Sequence, residues 1–380
     1  MQIHTLKNII YSWIRVEFSM KKENSKNNNL YKNNIDEVKI ILNIIGSPFN
    51  ESKNIELSDY EQHYEIAQKN KIGLLFLESL STRQVINGLQ SELDKQRLSR
   101  DHLRTTAERV GNILNNSQCK YAIIKSNFPF PAVPNDVDVL IFGDNEEYNN
   151  AIEQMKVNQF EPLTEVEAPL ELCLHDTSRA KHIDPMTKDP YDVDIYKEIG
   201  AGHVIYMNKA KLINQITETT INNTKVNTLN PTSEMALSIF HSIYPEKIYT
   251  LLLHFFILHT IKQMSSTEKE KFLQICNDQK IRNAALLTLS LTESIQEICF
   301  GDSPSELTDL RTGLGKRKAV KVDRLPYHYP TKDMVGAFLG KTSDPEFMMS
   351  AVRQVIAMLN PKYANYVIGV YKERMMRETY

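Results

Sequence analysis

Residues 125–141 read KSNFPFPAVPNDVDVLI, and the reading of this stretch decides the rest of the chain. It sets Asp136 and Asp138 two residues apart at the head of the apolar run from Val137 to Ile141. Side chains at i and i+2 of a strand project to the same face. The two carboxylates are therefore expected side by side, where one divalent cation meets both. Just upstream, Tyr121, Ala122, Ile123 and Ile124 form a short apolar run that ends at Lys125-Ser126. Nine residues, three of them proline, separate Ser126 from Asp136. The expected local structure is a strand, a rigid loop, and a second strand that opens on an acid pair.

Adjacent carboxylates repel one another and are unfavourable on a packed sheet unless a cation or solvent compensates. Magnesium is suited to the task, because it takes oxygen ligands, usually one or two carboxylates together with substrate phosphates. A third acid is expected from a neighbouring strand. Residues 190–196, PYDVDIY, alternate and offer Asp192 and Asp194. Asp194, between Val193 and Ile195, is the preferred ligand, and Asp192 is a second metal neighbour or an edge acid. Three carboxylates can hold two ions about 3.5–4 Å apart, the arrangement used for in-line displacement at phosphorus. Haloacid-dehalogenase-type phosphatases and sugar-nucleotide glycosyltransferases place their acids after an apolar strand. Here PFPAVPN precedes the acids and the strand follows them, which argues against both.

The bulk properties set the frame. The chain has 380 residues, enough for two or three domains. A net charge of −2 gives the whole molecule no bias toward nucleic acid or membrane, so any such surface is local. Cys119, Cys173, Cys276 and Cys299 are scattered without CxxC spacing, which implies neither a disulfide framework nor a zinc site and fits a cytoplasmic protein. The apolar run over residues 248–261 is too short to span a bilayer, and residues 1–20 lack the pattern of a signal peptide.

The expected order of elements is as follows. A short amphipathic helix in residues 1–20 is followed by a polar, asparagine-rich linker over 21–34. Helices follow at 36–44, from a cap at Ser58 to about Leu80 with a break at Gly73, and at 91–116. Strands are expected at residues 121–124, 137–142, 190–196 and 204–207, with a helix at 145–157. From Asn230, a helix cap with Pro231 at the first position, the chain reads as helical: 232–243, 246–263, 268–277 (capping box Thr267 with Glu270), 280–299, 345–359 and 362–377. Residues 301–332 read as looser and basic.

With these residues in place, the chain resembles the DNA polymerase β-like nucleotidyltransferase superfamily. Ile123, Ile124 and Ser126 match its opening strand and serine. Asp136-Val137-Asp138-Val139 matches its acid–apolar–acid–apolar run, and Val193-Asp194-Ile195 its third acid. The similarity is greatest to the uncharacterised and toxin-type branch with helices ahead of the catalytic core, through Ala67, Asn70, Ile72, Leu74, Leu80 and Lys125. It covers residues 60–245. Lys125 stands where the family carries a glycine, which would let a backbone N–H approach a phosphate closely.

The resemblance implies an α+β fold: a small mixed β-sheet nucleotidyltransferase core flanked by N-terminal helices and a largely helical C-terminal domain. The corresponding division is 1–34 N-terminal segment and linker, 35–118 helical region, 119–228 core and 229–380 C-terminal helices. It implies a magnesium-dependent transfer of NMP from an NTP, ATP among them, to a hydroxyl on RNA, protein or a small molecule. Two Mg2+ ions, or Mn2+ in their place, would sit on Asp136, Asp138 and Asp194. Lys125 and Ser126 would meet the phosphates, Asp194 would help deprotonate the acceptor, and a toxin-like member would have an antitoxin-like partner. Two alternatives stay open: a nucleotide- or RNA-binding scaffold that keeps the fold without turnover, and a metal-dependent phosphohydrolase.

His175, Asp176, Arg179, Lys181 and His182 fall between the acid strands and are expected to border the cleft or form a solvated loop. Lys188 and Asp189 read as turn residues. Arg311, Lys316, Arg317, Lys318, Lys321 and Arg324 form a basic run that either attracts a polyanion such as tRNA or is a solvated loop, with Tyr327, His328 and Tyr329 as a stacking platform or an anchor. His254 and His259 do not share a helix face well enough to bind one metal, and His241 with Tyr244 reads as core. Gly313-Leu314-Gly315-Lys316 is not a phosphate loop, because Leu310 stands where the first glycine belongs.

Overall fold

A computed structural model describes residues 33–55, 59–86, 88–117, 119–163, 169–181 and 189–376. The amphipathic helix expected in residues 1–20, most of the linker, the Ser58 cap, His182 and Lys188 lie outside the described residues. Asn34, expected in the linker, is tied to the far end of the chain: its side chain donates to Leu325 O (2.6 Å) and accepts from Leu325 N (2.8 Å).

The strands in chain order are β1 Tyr121–Ile124, β2 Val137–Ile141, β3 Phe160–Pro162, β4 Glu171–Asp176, β5 Asp192–Tyr196, β6 Ile199–Ala201, β7 Val204–Met207, β8 Ile216–Ile221, β9 Thr224–Leu229, β10 Ile248–Tyr249 and β11 Tyr327–His328. Seven of them form one mixed sheet in the order β3-β4-β5-β2-β1-β9-β8, while β6 with β7 and β10 with β11 make two-stranded ribbons. Helices α1 Ile35–Ile45, α2 Tyr60–Lys69, α3 Gly73–Thr82 and α4 Gln90–Asn116 precede the sheet, and α5 Asn145–Val157 follows β2. After β9 come α6 Pro231–Ile243, α7 Leu251–Gln263, α8 Ser266–Asp278, α9 Arg282–Phe300, α10 Ser305–Leu314, α11 Thr331–Lys341, α12 Pro345–Ala357 and α13 Pro361–Met376. The molecule is a mixed α/β structure. Among the described residues no helix is long and apolar enough to cross a membrane.

The period-2 alternation of the strands sorts the core into two sides. Tyr121, Ile123, Val137, Val139, Ile141, Val193 and Ile195 pack under Leu103, Ala107, Val110 and Leu114 of α4 and Ala151, Ile152 and Met155 of α5. The opposite face gives Ala122, Ile124, Leu140 and Tyr196 to a larger cluster that also contains α1, α3 and most of the C-terminal helices. Gly111 lets α4 lie close on β9, since a Cβ added there would stand 2.4 Å from Val226 Cγ1. α5 starts on a capping box, with the Asp144 carboxylate accepting from Glu147 N (3.0 Å) and the Glu147 carboxylate accepting from Asp144 N (2.9 Å).

Several expectations need correction. The sheet is larger than expected, because β3, β4, β8 and β9 carry polar and threonine-rich strings without a clean apolar alternation. β7 pairs with β6 outside the main sheet. The helical stretch expected from Ser58 to about Leu80 does break at Gly73, where α3 begins, and the Asp59 side chain caps α2 by accepting from Gln62 N. The box that starts α8 is Ser265 with Glu268, not Thr267 with Glu270. The helix expected from residue 246 begins at Leu251, after the short β10. Helix α10 occupies part of the segment read as loose, and α11 was not expected at all.

Arg109 of α4 clamps the sheet edge. Its guanidinium donates to the fully buried Asp176 carboxylate at the end of β4 and to Asn158 O (3.0 Å), and it lies 5.2 Å from the Phe160 ring centroid. Replacing one partner of a buried pair leaves the other charge uncompensated. Arg109→Ala is expected to cost about 3 kcal/mol of unfolding free energy in denaturant titrations.

Candidate functional site

Strand register assembles the site. β2 and β5 run parallel with Asp138 opposite Asp194, and β1 runs antiparallel to β2 with Ile124 opposite Asp138. β9 is parallel to β1 and ends at Leu229, one residue before the Asn230 cap of α6, whose side chain accepts from Ser233 N (3.0 Å). The starts of β2 and β5, the ends of β1 and β9, and the first turn of α6 therefore meet at one end of the sheet. Asp136 and Asp192 share parity with Asp138 and Asp194, so four carboxylates belong to one face. The three predicted acids thus come from adjacent strands on one side. Asp138 is buried, while Asp136 and Asp194 are half-buried.

Lys125 and Ser126 close this end. Lys125 has φ 52°, the left-handed conformation that favours glycine. Its N–H donates to the Glu234 carboxylate of α6. Its ammonium lies 3.0 Å from Asp138 Oδ1, 3.5 Å from Tyr196 OH and 4.9 Å from the Tyr196 ring centroid. Burial alone would lower the pKa of the ammonium, but Asp138, Tyr206 and Asp136 together outweigh it and the net shift is upward. Burial raises the Asp138 carboxyl, with Asp136 and Asp194 adding to the rise and Lys125 opposing it. Burial and the surrounding carboxylates also push the Tyr196 phenol far up, which keeps it neutral. Ser126 was expected to face phosphate. In this structure its hydroxyl donates to Ile124 O (2.9 Å) and accepts from Asp138 N (3.3 Å), which stitches the end of β1 to β2.

The loop that delivers Asp136 is held by aromatic contacts. Phe128 meets Phe256 edge-on at 5.5 Å between centroids, and Phe130 stacks on His259 at 5.1 Å, both partners belonging to α7. On the other side Lys71 Nζ donates to Asn135 Oδ1 (2.6 Å). A polar cleft of about 190 Å³ opens here, lined in part by Gln68, Lys71, Gln96, Ser99, Asn135 and Asp189. Pockets for whole drug-sized ligands span roughly 300–1,000 Å³, so this cleft is smaller than those.

Among the described residues, the potential ligands that converge most closely are not the three predicted acids. They are His175, Asp189 and Asp192, with ligand atoms within 4.8 Å of one another. His175 faces Asp192 across β4 and β5, with Nδ1 2.7 Å from Asp192 Oδ1 and Nε2 3.0 Å from Ala180 O. Both ring nitrogens therefore face acceptors, and the doubly protonated ring satisfies both. Burial would lower its pKa, but the bonds to Asp192 and Ala180 O, with Asp189 nearby, hold it above the ordinary value. A metal ion here would have to displace the Nδ1 proton. His175 and Asp192 form a buried pair that joins β4 to β5, so His175 does not sit in a solvated loop, and with the half-buried Asp189 they make a cluster that could hold a metal ion. Asp176 is taken by Arg109. Arg179 donates to His102 O (3.1 Å) and lies over the Tyr191 ring. Lys181 is exposed.

The basic run is partly consumed by the fold. Arg311 binds the buried Glu293 carboxylate (3.0 and 3.2 Å), and Arg317 binds Glu297 and Ser294 Oγ (2.9 Å). Lys316, Lys318 and Lys321 are exposed. Tyr327 and Tyr329 are buried, and the Tyr329 hydroxyl lies 3.3 Å from Ser242 Oγ and 3.1 Å from Thr288 Oγ1, so these tyrosines anchor their segment rather than form a platform. His254 is enclosed by Tyr249 (3.0 Å) and Gln296 (2.9 Å), and burial pulls it down to about 3. Arg311→Ala removes the closer of the two guanidinium groups at Glu293, leaving Arg317 Nε at 3.5 Å, and is expected to destabilise the fold by roughly 1.5–3 kcal/mol. Lys321→Ala is expected to change stability by less than about 0.5 kcal/mol. Thermal and denaturant melts of the two variants check this contrast.

The sequence reading missed the roles of Glu234 and Tyr196. Glu234 read as first-turn acid, and nothing local ties it to Lys125, 109 positions away. Its Oε1 accepts the Lys125 N–H, whereas Oε2 is buried without a hydrogen-bond partner among the described residues. Burial raises its carboxyl to about 7, against the opposing pull of the Lys125 N–H and ammonium. A carboxyl with a raised pKa in the fold stabilises most below its unfolded value, 4.5, and that contribution is lost as pH rises through about 7. Glu234→Gln is expected to remove this loss, so that the variant gains on the wild type between pH 5 and pH 7.5 in paired denaturant melts, pH values roughly bracketing the transition.

Comparison with protein-family models, with curated proteins and with solved structures found no match to this chain.

Proposed function

We propose that the chain is a magnesium-dependent nucleotidyltransferase that moves NMP from an NTP to an acceptor hydroxyl. The observation that carries this reading is the pairing of Asp138 with Asp194 on adjacent parallel strands, with Asp136 on the same face and the β1 turn beside them. The donor set, all carboxylate oxygens, fits a hard divalent cation. Asp136, Asp138 and Asp194 would hold magnesium, which when bound neutralises phosphate charge and assists the departing pyrophosphate.

The protein's own groups supply the rest. Asp194 accepts the proton of the acceptor hydroxyl as its oxygen bonds to the α-phosphorus, and the bond from that phosphorus to the β-phosphate bridging oxygen breaks. Lys125 supplies positive charge to the phosphates. The neutral Tyr196 phenol and the Ser126 hydroxyl hold Lys125 and the strand ends in register. The polar cleft beside Asn135 receives a sugar or ring of the nucleotide or acceptor. The acceptor is an RNA, a protein or a small molecule in the cytoplasm, and Lys316, Lys318 and Lys321 are the exposed basic groups that an RNA would meet.

One observation favours a second reading, a nucleotide- or RNA-binding scaffold without turnover: Lys125 and Ser126 are both engaged within the fold. Incubation with labelled NTPs, Mg2+ or Mn2+, and total RNA or cell extract separates the two. Label transfer is expected, falling to the enzyme-free background in Asp136→Ala/Asp138→Ala. Nucleotide binding without transfer under every NTP and metal would leave the scaffold reading. Release of inorganic phosphate in place of pyrophosphate would instead indicate a phosphohydrolase.

A further inference from the structure

We propose that Lys125 is a tethered cation: in the ligand-free protein its ammonium holds the place on Asp138 that a divalent cation takes. The inference rests on the metal reading of Asp136, Asp138 and Asp194 and adds a competitor to it.

The first support is geometry. Lys125 Nζ lies 3.0 Å from Asp138 Oδ1, with the two side chains 13% and 9% exposed. This is not a solvent-screened surface pair of the kind that contributes little. A carboxylate this deeply buried is compensated by a neighbouring cation or by a proton, and Lys125 is the cation within hydrogen-bond distance of it. Lys125 supplies one positive charge beside three carboxylates. An ammonium offers three hydrogen bonds and no coordination shell, so it does not draw the acids together as a metal would. Accordingly, Asp136, Asp138 and Asp194 do not form a convergent ligand trio in this structure.

The second support is the backbone. Lys125 adopts φ 52°, a left-handed conformation that side chains other than glycine rarely take. The N–H bond to Glu234 does not need a side chain at residue 125, and glycine would make it without strain. What glycine could not do is return a charge past the end of β1 onto Asp138. The left-handed turn sends the side chain back over the strand end, where the Tyr196 ring and hydroxyl hold it.

Two consequences follow for a ligand. A divalent cation must displace the ammonium from Asp138, so metal alone binds weakly. The displaced ammonium then pairs with the phosphate oxygens of the nucleotide, as lysine does as a point charge elsewhere. Metal and triphosphate therefore assist each other's binding, because the nucleotide offers the ammonium a new partner.

The test is Mn2+ binding without nucleotide, followed by electron paramagnetic resonance, in wild type, Lys125→Met and Lys125→Met/Asp138→Asn. Lys125→Met keeps the unbranched stem and removes the charge. It is expected to bind Mn2+ about tenfold more tightly than wild type, equivalent to roughly 1.4 kcal/mol of lost competition. It is also expected to melt lower without metal and to gain more in melting temperature from Mn2+ than wild type does. Both gains should vanish in the double variant. Lys125→Gly, which suits the left-handed backbone, replaces Lys125→Met if the latter does not fold. Equal Mn2+ affinity in wild type and the charge-free variant overturns the tethered cation and leaves the metal reading standing, as does a gain that survives Asp138→Asn. Absence of Mn2+ binding in every protein overturns both.

Discussion

The parallel pairing of β2 with β5 is the constraint on which the rest of the site depends. With Val137 opposite Val193 and Val139 opposite Ile195, the branched side chains of both strands enter the core under α4 and α5. The intervening positions, Asp138 and Asp194, are then forced to the other face. A slip of one residue would exchange the two sets, burying carboxylates under α4 and exposing valines. The hydrophobic effect acting on one face of the sheet therefore positions the charges on the other. No interaction among the acids themselves is needed to align them, and none would favour it.

The acid face is completed by segments distant in the chain. α6 supplies Glu234 to the Lys125 N–H, and α7 supplies Phe255, Phe256 and His259 to the loop that carries Asp136. Lys71, between α2 and α3, reaches Asn135 from the other side. The large buried cluster on this face contains residues of α1 to α4 and of α6 to α11, so the loop and turn rest on a shared core. Prolines stiffen the loop, but the aromatic contacts decide where it sits.

Charge neutralisation recurs through the molecule. The buried acids Asp176, Asp192 and Glu293 are paired with Arg109, His175 and Arg311, and Asp138 is paired with Lys125. Three of these pairs join separate elements and hold the fold. The fourth joins the end of β1 to the start of β2, beside Asp136 and Asp194.

Local sequence determined a good deal. The alternation in VDVLI and DVDIY specified the two acid strands and the shared parity of Asp136, Asp138 and Asp194, because a period of two is a property of any extended chain. The spacing of Leu103, Ala107, Val110 and Leu114 specified α4, and Asn230-Pro231 specified the start of α6, for equally local reasons. Tertiary structure decided what those groups do. The polar strands β4, β8 and β9 form because the sheet offers their backbones partners, which their composition does not announce. Arg311, Arg317, Tyr327 and Tyr329 read as a surface for a polyanion, yet the buried Glu293 and the packed interior claim Arg311 and both tyrosines, and Glu297 claims Arg317. Lys125 read as a replacement for glycine. Only the fold shows that its backbone keeps the glycine conformation while its ammonium sits on Asp138, because that contact depends on four chain segments arriving at one end of the sheet.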